Sequence, residues 1–223
     1  MSDRHGRRAY RDGCAASHAL NLMGDRWALL IVRELMLGPK RFSRLRRDLP
    51  GLSANILTQR LEEMASAGIV QQQQLPAPAD VRAYVLTSWG RDLWPVIAEL
   101  VRWGIRSADF PTSASMSATS FLLSLRAFFD PDRAKGLAVT IGLNIGADSF
   151  GAQVEKGRIT VSSAAPDAPD AVIAGDTGLL KRLFYGREPV DSLQQAGLTL
   201  SGDVGGVEDL VMAFPVAELR AAS

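Results

Sequence analysis

Asn55, Thr58 and Gln59 follow one another at helical spacing and offer two amides and a hydroxyl. Amides of Asn and Gln can pair bidentately with adenine, and a threonine methyl can meet the methyl of thymine, so this trio can read base edges. Arg41, Arg44 and Arg47, with Ser43 among them, lie just upstream, and Arg82 follows downstream. Their chemistry is to neutralise phosphate, and Ser43 and Ser53 add hydroxyls able to donate to phosphate oxygens. A polar helix face is also what any solvated helix shows. The functional reading rests on both groups falling within one short window.

Catalytic chemistry finds little to work with. His5 and His18 are the only histidines and Cys14 the only thiol, so neither a zinc site nor a Cys–His pair assembles at recognised spacing. Asp130, Asp132, Asp167 and Asp170 adjoin prolines, where carboxylates form turns. We therefore expect no catalytic residues, no metal, no cofactor and no enzyme.

The elements that must carry the trio can be read around it. Ser53 can cap a helix over 54–67, with Leu57, Leu61 and Met64 on its buried face and Gly68 closing it. Phe42 and Leu45 mark a shorter helix bearing the arginines, and Asp48-Leu49-Pro50-Gly51 turns the chain between the two, the order of a helix-turn-helix. Upstream, Cys14 to Gly24 reads as one helix and Arg26 to Leu37, capped by Asp25, as another. Downstream, strands over 69–75 and 83–86 flank the turn 76–80 and form a wing, with half of the four glutamines facing solvent and Arg82 at its base. A helical segment then starts at Thr87 or Ser88. Its stripe of Leu93, Ile97, Leu100 and Trp103 suits a homodimer contact, or packing on its own domain, with Pro95 tolerated early or kinking it.

At 223 residues and 47% hydrophobic content the chain can bury one large core or two small ones. Residues 1–110 hold 16 Lys and Arg against 11 Asp and Glu, whereas 111–223 hold 9 against 13, so a net charge of only +1 conceals a basic half and an acidic half. We expect four parts: a basic arm over 1–13, a DNA-binding and dimerisation domain over 14–109, a linker over 110–118 and a second domain over 119–223. The single cysteine excludes an internal disulfide. No apolar run reaches membrane-spanning length and no secretion signal is evident, so the expectation is a cytoplasmic protein without membrane contact.

In the second domain, Leu137 to Ile145 alternates with period two, followed by hairpin partners over 150–154 and 159–161, a strand at 171–174 and another at 198–200. Helices through Phe128, through Leu183 and Phe184 and through Phe214 complete a five-stranded antiparallel sheet with helices on one face, an α+β layer. The inward positions Ile141, Leu143, Phe150 and Val154 face Phe128, Leu183, Phe184 and Phe214. Either these eight fill a core or they line an apolar cavity for a lipid-like effector.

Cys14, Ala19-Leu20, Leu22, Gly24, Trp27, Leu30, Arg33 and Leu35, with Arg41-Phe42-Ser43, Leu45, Leu49-Pro50-Gly51-Leu52-Ser53, Leu57, Arg60-Leu61, Gly68-Ile69-Val70 and Tyr84-Val85-Leu86-Thr87, together resemble the HxlR-type winged-helix transcriptional regulators, over about residues 14–106. The resemblance implies a dimer that binds double-stranded promoter DNA. It also implies that a cysteine at position 14 can sense oxidants or electrophiles, against the plainer expectation of a small buried apolar residue. Asp170-Ala171-Val172-Ile173, Leu183 with Gly186, and Gly197 to Asp203 resemble the sterol-carrier-protein family, which implies an apolar ligand cavity. The rival from another class is a lipid carrier whose winged helix serves only for dimerisation or protein contact.

Overall fold

The computed structural model describes residues 10–76 and 81–221. The chain divides into two compact units, Met1–Trp94 and Pro95–Ser223. The expected arm over 1–13 lies outside the described residues up to 9, and the expected wing turn does so over 77–80.

In the first unit, α1 (Ala15–Met23) buries only Met23, and α2 (Ala28–Leu35) buries most of its length. The second helix starts later than expected. Asp25 does not cap it; its carboxylate accepts from the Trp27 N–H at 2.9 Å and closes a turn before the helix begins. Next come α3 (Phe42–Asp48) and α4 (Ala54–Ser66), joined through Leu49 and Leu52, both buried. Gly51 has a φ of +86°, a left-handed conformation that other residues adopt at a cost, and this lets the chain reverse within a few residues.

β1 (Val70–Gln74) and β2 (Arg82–Leu86) pair antiparallel from Val70↔Leu86 to Gln74↔Arg82. All four glutamines are exposed, not half of them, and the buried positions of the ribbon beyond Val70 lie on the partner strand, at Ala83 and Leu86. Arg82 accordingly stands at the far end of the ribbon and not at its base. The base is fixed by Lys40, whose backbone N–H donates to the Tyr84 carbonyl at 2.9 Å and whose carbonyl accepts from the Tyr84 N–H at 2.8 Å. Thr87 caps α5 (Ser88–Arg91) by accepting from the Gly90 N–H at 3.0 Å. At Gly90 a Cβ would lie 2.2 Å from the Ile69 carbonyl oxygen, so only glycine lets α5 sit this close to the end of the ribbon.

The helical segment after Thr87 is two helices, not one. The second, α6 (Trp94–Gly104), begins beyond Asp92 and Leu93, with Pro95 in its first turn, where a missing N–H costs nothing. In the second unit Ile97 turns inward at 4% exposure, while Val96, Leu100 and Trp103 stay exposed at 49%, 46% and 70%. The open apolar stripe therefore excludes Ile97.

α7 (Ala118–Phe128) starts at the Ser117 cap and leads to β3 (Val139–Ile145), β4 (Asp148–Glu155), β5 (Arg158–Ser162) and β6 (Ala171–Ala174). Then follow α8 (Thr177–Phe184), α9 (Val190–Gln195), β7 (Thr199–Gly202), α10 (Val204–Met212) and α11 (Val216–Ala221). The sheet has five strands in the order β5-β4-β3-β6-β7. It is mixed rather than antiparallel, since β6 runs parallel to β3. A parallel pair needs a crossover, and residues 163–170 supply it. Around Gly151 and Gly142 the crossover comes so close that a Cβ would meet the Ala164 carbonyl oxygen at 3.1 Å and Pro169 at 3.7 Å. Asp170 ends it, with its N–H on the Thr140 carbonyl at 2.8 Å and its carboxylate on the Thr140 N–H at 2.7 Å.

Register places Val139, Ile141 and Leu143 beside Val154, Ala152 and Phe150 on one sheet face, where all are buried. Phe121, Phe184 and Phe214 meet edge to face, with centroids 5.8 Å apart for the first pair and 5.5 Å for the second. Tyr185 packs on Phe128 at 5.8 Å, and its hydroxyl bonds to Ser124.

Candidate nucleic-acid interface

The local chemistry of α4 sets out its reading surface. Ser53 Oγ accepts from the Ile56 N–H at 3.3 Å, so Asn55 falls in the first turn. Leu57, Leu61 and Met64 are buried, and Asn55 and Thr58 consequently lie open on the opposite side. Gln59 is half-buried and donates to Glu63 Oε1 at 3.0 Å. Glu63 also takes the Arg60 guanidinium, which lies buried beneath the helix. Ile56 is 39% exposed next to Asn55. Ile56 stands outside the periodic set of Leu57, Leu61 and Met64, and a large aliphatic group one position from the buried Leu57 is its signal in the sequence.

The cations fall into two classes. Arg44 is half-buried, with Nε 2.9 Å from Asp48 Oδ2, and Arg47 is exposed, with Nε 3.4 Å from Asp48 Oδ1. Arg41 and Arg46 are exposed and have no carboxylate partner among the described residues, and the same holds for Arg82. Ser43 and Ser53 are exposed as well. Arg46, one position from Arg47, is thus a cation without a carboxylate partner among the described residues and joins the phosphate candidates.

Beneath α3 lies a buried charge network. Glu34 is fully buried; its carboxylate takes Lys40 Nζ at 2.6 Å and the Arg33 guanidinium at 2.9 Å. The same ammonium reaches Asp48 Oδ2 at 2.7 Å. Burial pushes the Asp48 carboxyl up, yet the hydrogen bonds and charges of Lys40 and Arg44 outweigh it and hold the group below the usual carboxylate range. Lys40 therefore ties α2 and α3 by its side chain and the ribbon by its backbone.

Cys14 is exposed, which corrects the expectation of a buried apolar residue. Among the residues of α1 only Met23 is buried, so the position before this helix has no core to enter. The Ser17 and Ala16 backbone N–H groups favour the thiolate and lower the Cys14 pKa.

The eight positions assigned to an apolar cavity, Phe128, Ile141, Leu143, Phe150, Val154, Leu183, Phe184 and Phe214, are all buried. A cleft of about 780 Å³ opens elsewhere in the second unit, and none of the eight lines it. Among the described residues no helix is long and apolar enough to cross a membrane.

The family described as HxlR-like helix-turn-helix matches residues 22–110. The uncharacterized HTH-type transcriptional regulator YvaP of Bacillus subtilis strain 168 is 34% identical over 91 residues, covering 41% of this chain and 84% of that protein. The HTH-type transcriptional regulator YodB of the same strain is 39% identical over 85 residues, covering 38% and 76%. The solved reduced form of YodB overlays 44% of this chain and 97% of its own at 34% identity, with a TM-score of 0.39. The family match ends at residue 110, so most of the second unit lies beyond it.

Proposed function

The chain belongs to the HxlR-like helix-turn-helix family, whose members similar to it are HTH-type transcriptional regulators, and from that premise we propose a homodimeric regulator that binds double-stranded DNA sequence-specifically. The observation that carries the proposal is the open face of α4. Asn55, Ile56 and Thr58 supply one amide, one aliphatic group and one hydroxyl beyond a buried Leu57, a set suited to base edges and thymine methyls. Gln59 joins them once its amide leaves Glu63. Arg41, Arg46 and Arg82, which have no carboxylate partner among the described residues, take phosphates first; Arg44 and Arg47 reach phosphate from their seats on Asp48.

Footprinting on the DNA upstream of the protein's own gene tests this reading against that of a lipid carrier. Asn55→Ala is expected to cost about 1–3 kcal/mol at one base pair and little on random DNA. Arg46→Ala is expected to weaken all sequences alike and reduce the salt slope by about 1. Equal losses on operator and random DNA for Asn55→Ala would remove the base-reading assignment.

The dimer is assigned to α6, whose Val96, Leu100 and Trp103 leave a contiguous helical face exposed. Sedimentation of Leu100→Asp is expected to give a monomer, because the interface would have to bury a lone carboxylate. The second unit is read as a sterol-carrier-like sensor of an apolar molecule, supported by its five-stranded sheet under helices. A second reading has an independent observation behind it: the exposed, thiolate-leaning Cys14 suits reaction with oxidants or electrophiles, and alkylation-rate profiles against pH would test it.

A further inference from the structure

The 780 Å³ cleft of the second unit lies where residues 105–113, after α6, meet α8 and α11. Its volume is that of a small-molecule site. Phe110 and Tyr185 contribute aromatic surface, and Ile105, Leu179 and Val216 contribute aliphatic surface. The Tyr185 hydroxyl is already bonded to Ser124, so this residue brings a ring rather than a free polar group.

Three cations share the lining, and they are not equivalent. Arg182 is held bidentately by Glu188, at 2.9 and 2.8 Å, and each neutralises the other. Lys181 donates to the Thr112 and Ala114 carbonyls at 2.6 and 2.7 Å, contacts that leave its charge uncompensated. Burial draws the Lys181 ammonium below its usual range, the direction a bound anion would reverse. Arg220 is exposed and, like Lys181, has no carboxylate partner among the described residues. Asp176, the remaining charged group of the lining, uses Oδ1 to cap α8 at the Leu179 N–H. With Arg182 and Glu188 cancelling each other, Lys181 and Arg220 stand beside the single carboxylate of Asp176, a balance that suits one negative charge and opposes a polyanion. The aromatic and aliphatic walls require the rest of the ligand to be apolar.

We propose that this cleft binds an aromatic carboxylic acid, its ring against Phe110 and Tyr185 and its carboxylate taken by Lys181 and Arg220. Because Lys181 also holds Thr112 and Ala114, an occupied cleft fixes the segment that continues from α6. Only the effect on DNA rests on reading this unit as a sensor; the binding itself does not.

Calorimetric titration of the full-length protein with 1-naphthoate, and with 1-naphthamide as its uncharged counterpart, tests the site. Saturable 1:1 uptake of the acid is expected, with the amide weaker by about tenfold or more, the loss expected for a charge-assisted hydrogen bond. Arg220→Gln is expected to weaken the acid by a similar factor and leave the amide unchanged, whereas Phe110→Ala weakens both. No saturable uptake, equal affinity for acid and amide, or wild-type uptake by Arg220→Gln would each overturn the proposal. Operator binding measured with the acid then separates the two readings. Arg220-dependent uptake without a change in DNA affinity keeps the site and removes the sensor. A shift in DNA affinity that is the same in wild type and Arg220→Gln keeps the sensor and removes this site.

Discussion

The ribbon-and-helix unit leaves polar side chains of α4 open, whereas the five-stranded unit closes three of its phenylalanines into a core. In the first, Asn55, Ile56 and Thr58 stand open over a core that includes Leu57 and Leu61, and charges penetrate to the fully buried Glu34. In the second, Phe121, Phe184 and Phe214 form a closed set of edge-to-face rings at 5.5–5.8 Å. The two units therefore suit different kinds of function. A reading surface needs a rigid support with polar groups left over, and a buried charge network can provide the rigidity. A ligand site needs space, and space here lies outside the ring cluster, against residues 105–113.

Phe184→Ala has the largest expected effect. Removing a fully buried ring that touches two others is expected to cost about 3–5 kcal/mol, measured by thermal unfolding of the full chain. A loss below about 1 kcal/mol would mean that the ring borders space already, and the cavity among the eight core positions would return as a candidate.

Next in size is Lys40→Met, which tests whether the charge network supports the reading head. The substitution takes the ammonium away from the buried Glu34 and leaves Asp48 without its closest cation, at an expected cost of about 3 kcal/mol. Since the Lys40 backbone still bridges to Tyr84, the ribbon should persist. Operator affinity should therefore fall through disorder of α3, seen as faster amide exchange over 42–48 than over 82–86. Equal protection of both segments would assign Lys40 to bulk stability only.

Ser53→Ala is smaller, about 1 kcal/mol, because it removes one cap from an exposed helix start. It sharpens the comparison in another way: the loss should appear in operator affinity as well as in stability, since Asn55 lies in the turn the cap holds. The matching change in the second unit, Asp176→Ala at the start of α8, should affect stability without touching DNA.

Legibility in the sequence follows the same division. Caps, buried periodic positions and the Gly51 turn are local, and Ser53, Leu57, Leu61, Met64 and Thr87 behave in the fold as their spacing requires. The ribbon's strands were legible for the same reason. What the sequence hides depends on partners distant along the chain. Arg44 and Arg46 are the same residue type two positions apart, and only the fold reveals that Asp48 occupies one and leaves the other free. The parallel step from β3 to β6 was hidden because alternation gives a strand's faces but not its direction. α9 and α11 bury one residue each, Leu193 and Val216, too few to produce a period. Whether eight apolar residues enclose space is a property of their summed packing, which no single position records.

The finest test of the comparison is the pH response of Asp48. Its pKa in the fold is held below the ordinary value of about 3.9, because Lys40 and Arg44 together outweigh the cost of burial. A depressed carboxyl contributes stability that is fully present above the unfolded-state pKa and is lost as pH falls through the folded value. Wild type should accordingly exceed Asp48→Asn in denaturant midpoint at pH 7; the gap should narrow as pH falls below about 4 and close only below the folded value, where both carry a neutral group beside Lys40. The effect is the smallest of the four because burial opposes the ion pairs. Phe184→Ala and its parent should show no such convergence, since no titrating group separates them. A constant gap between wild type and Asp48→Asn down to pH 3 would mean that packing around the side chain, and not its charge, holds α3 to the ribbon.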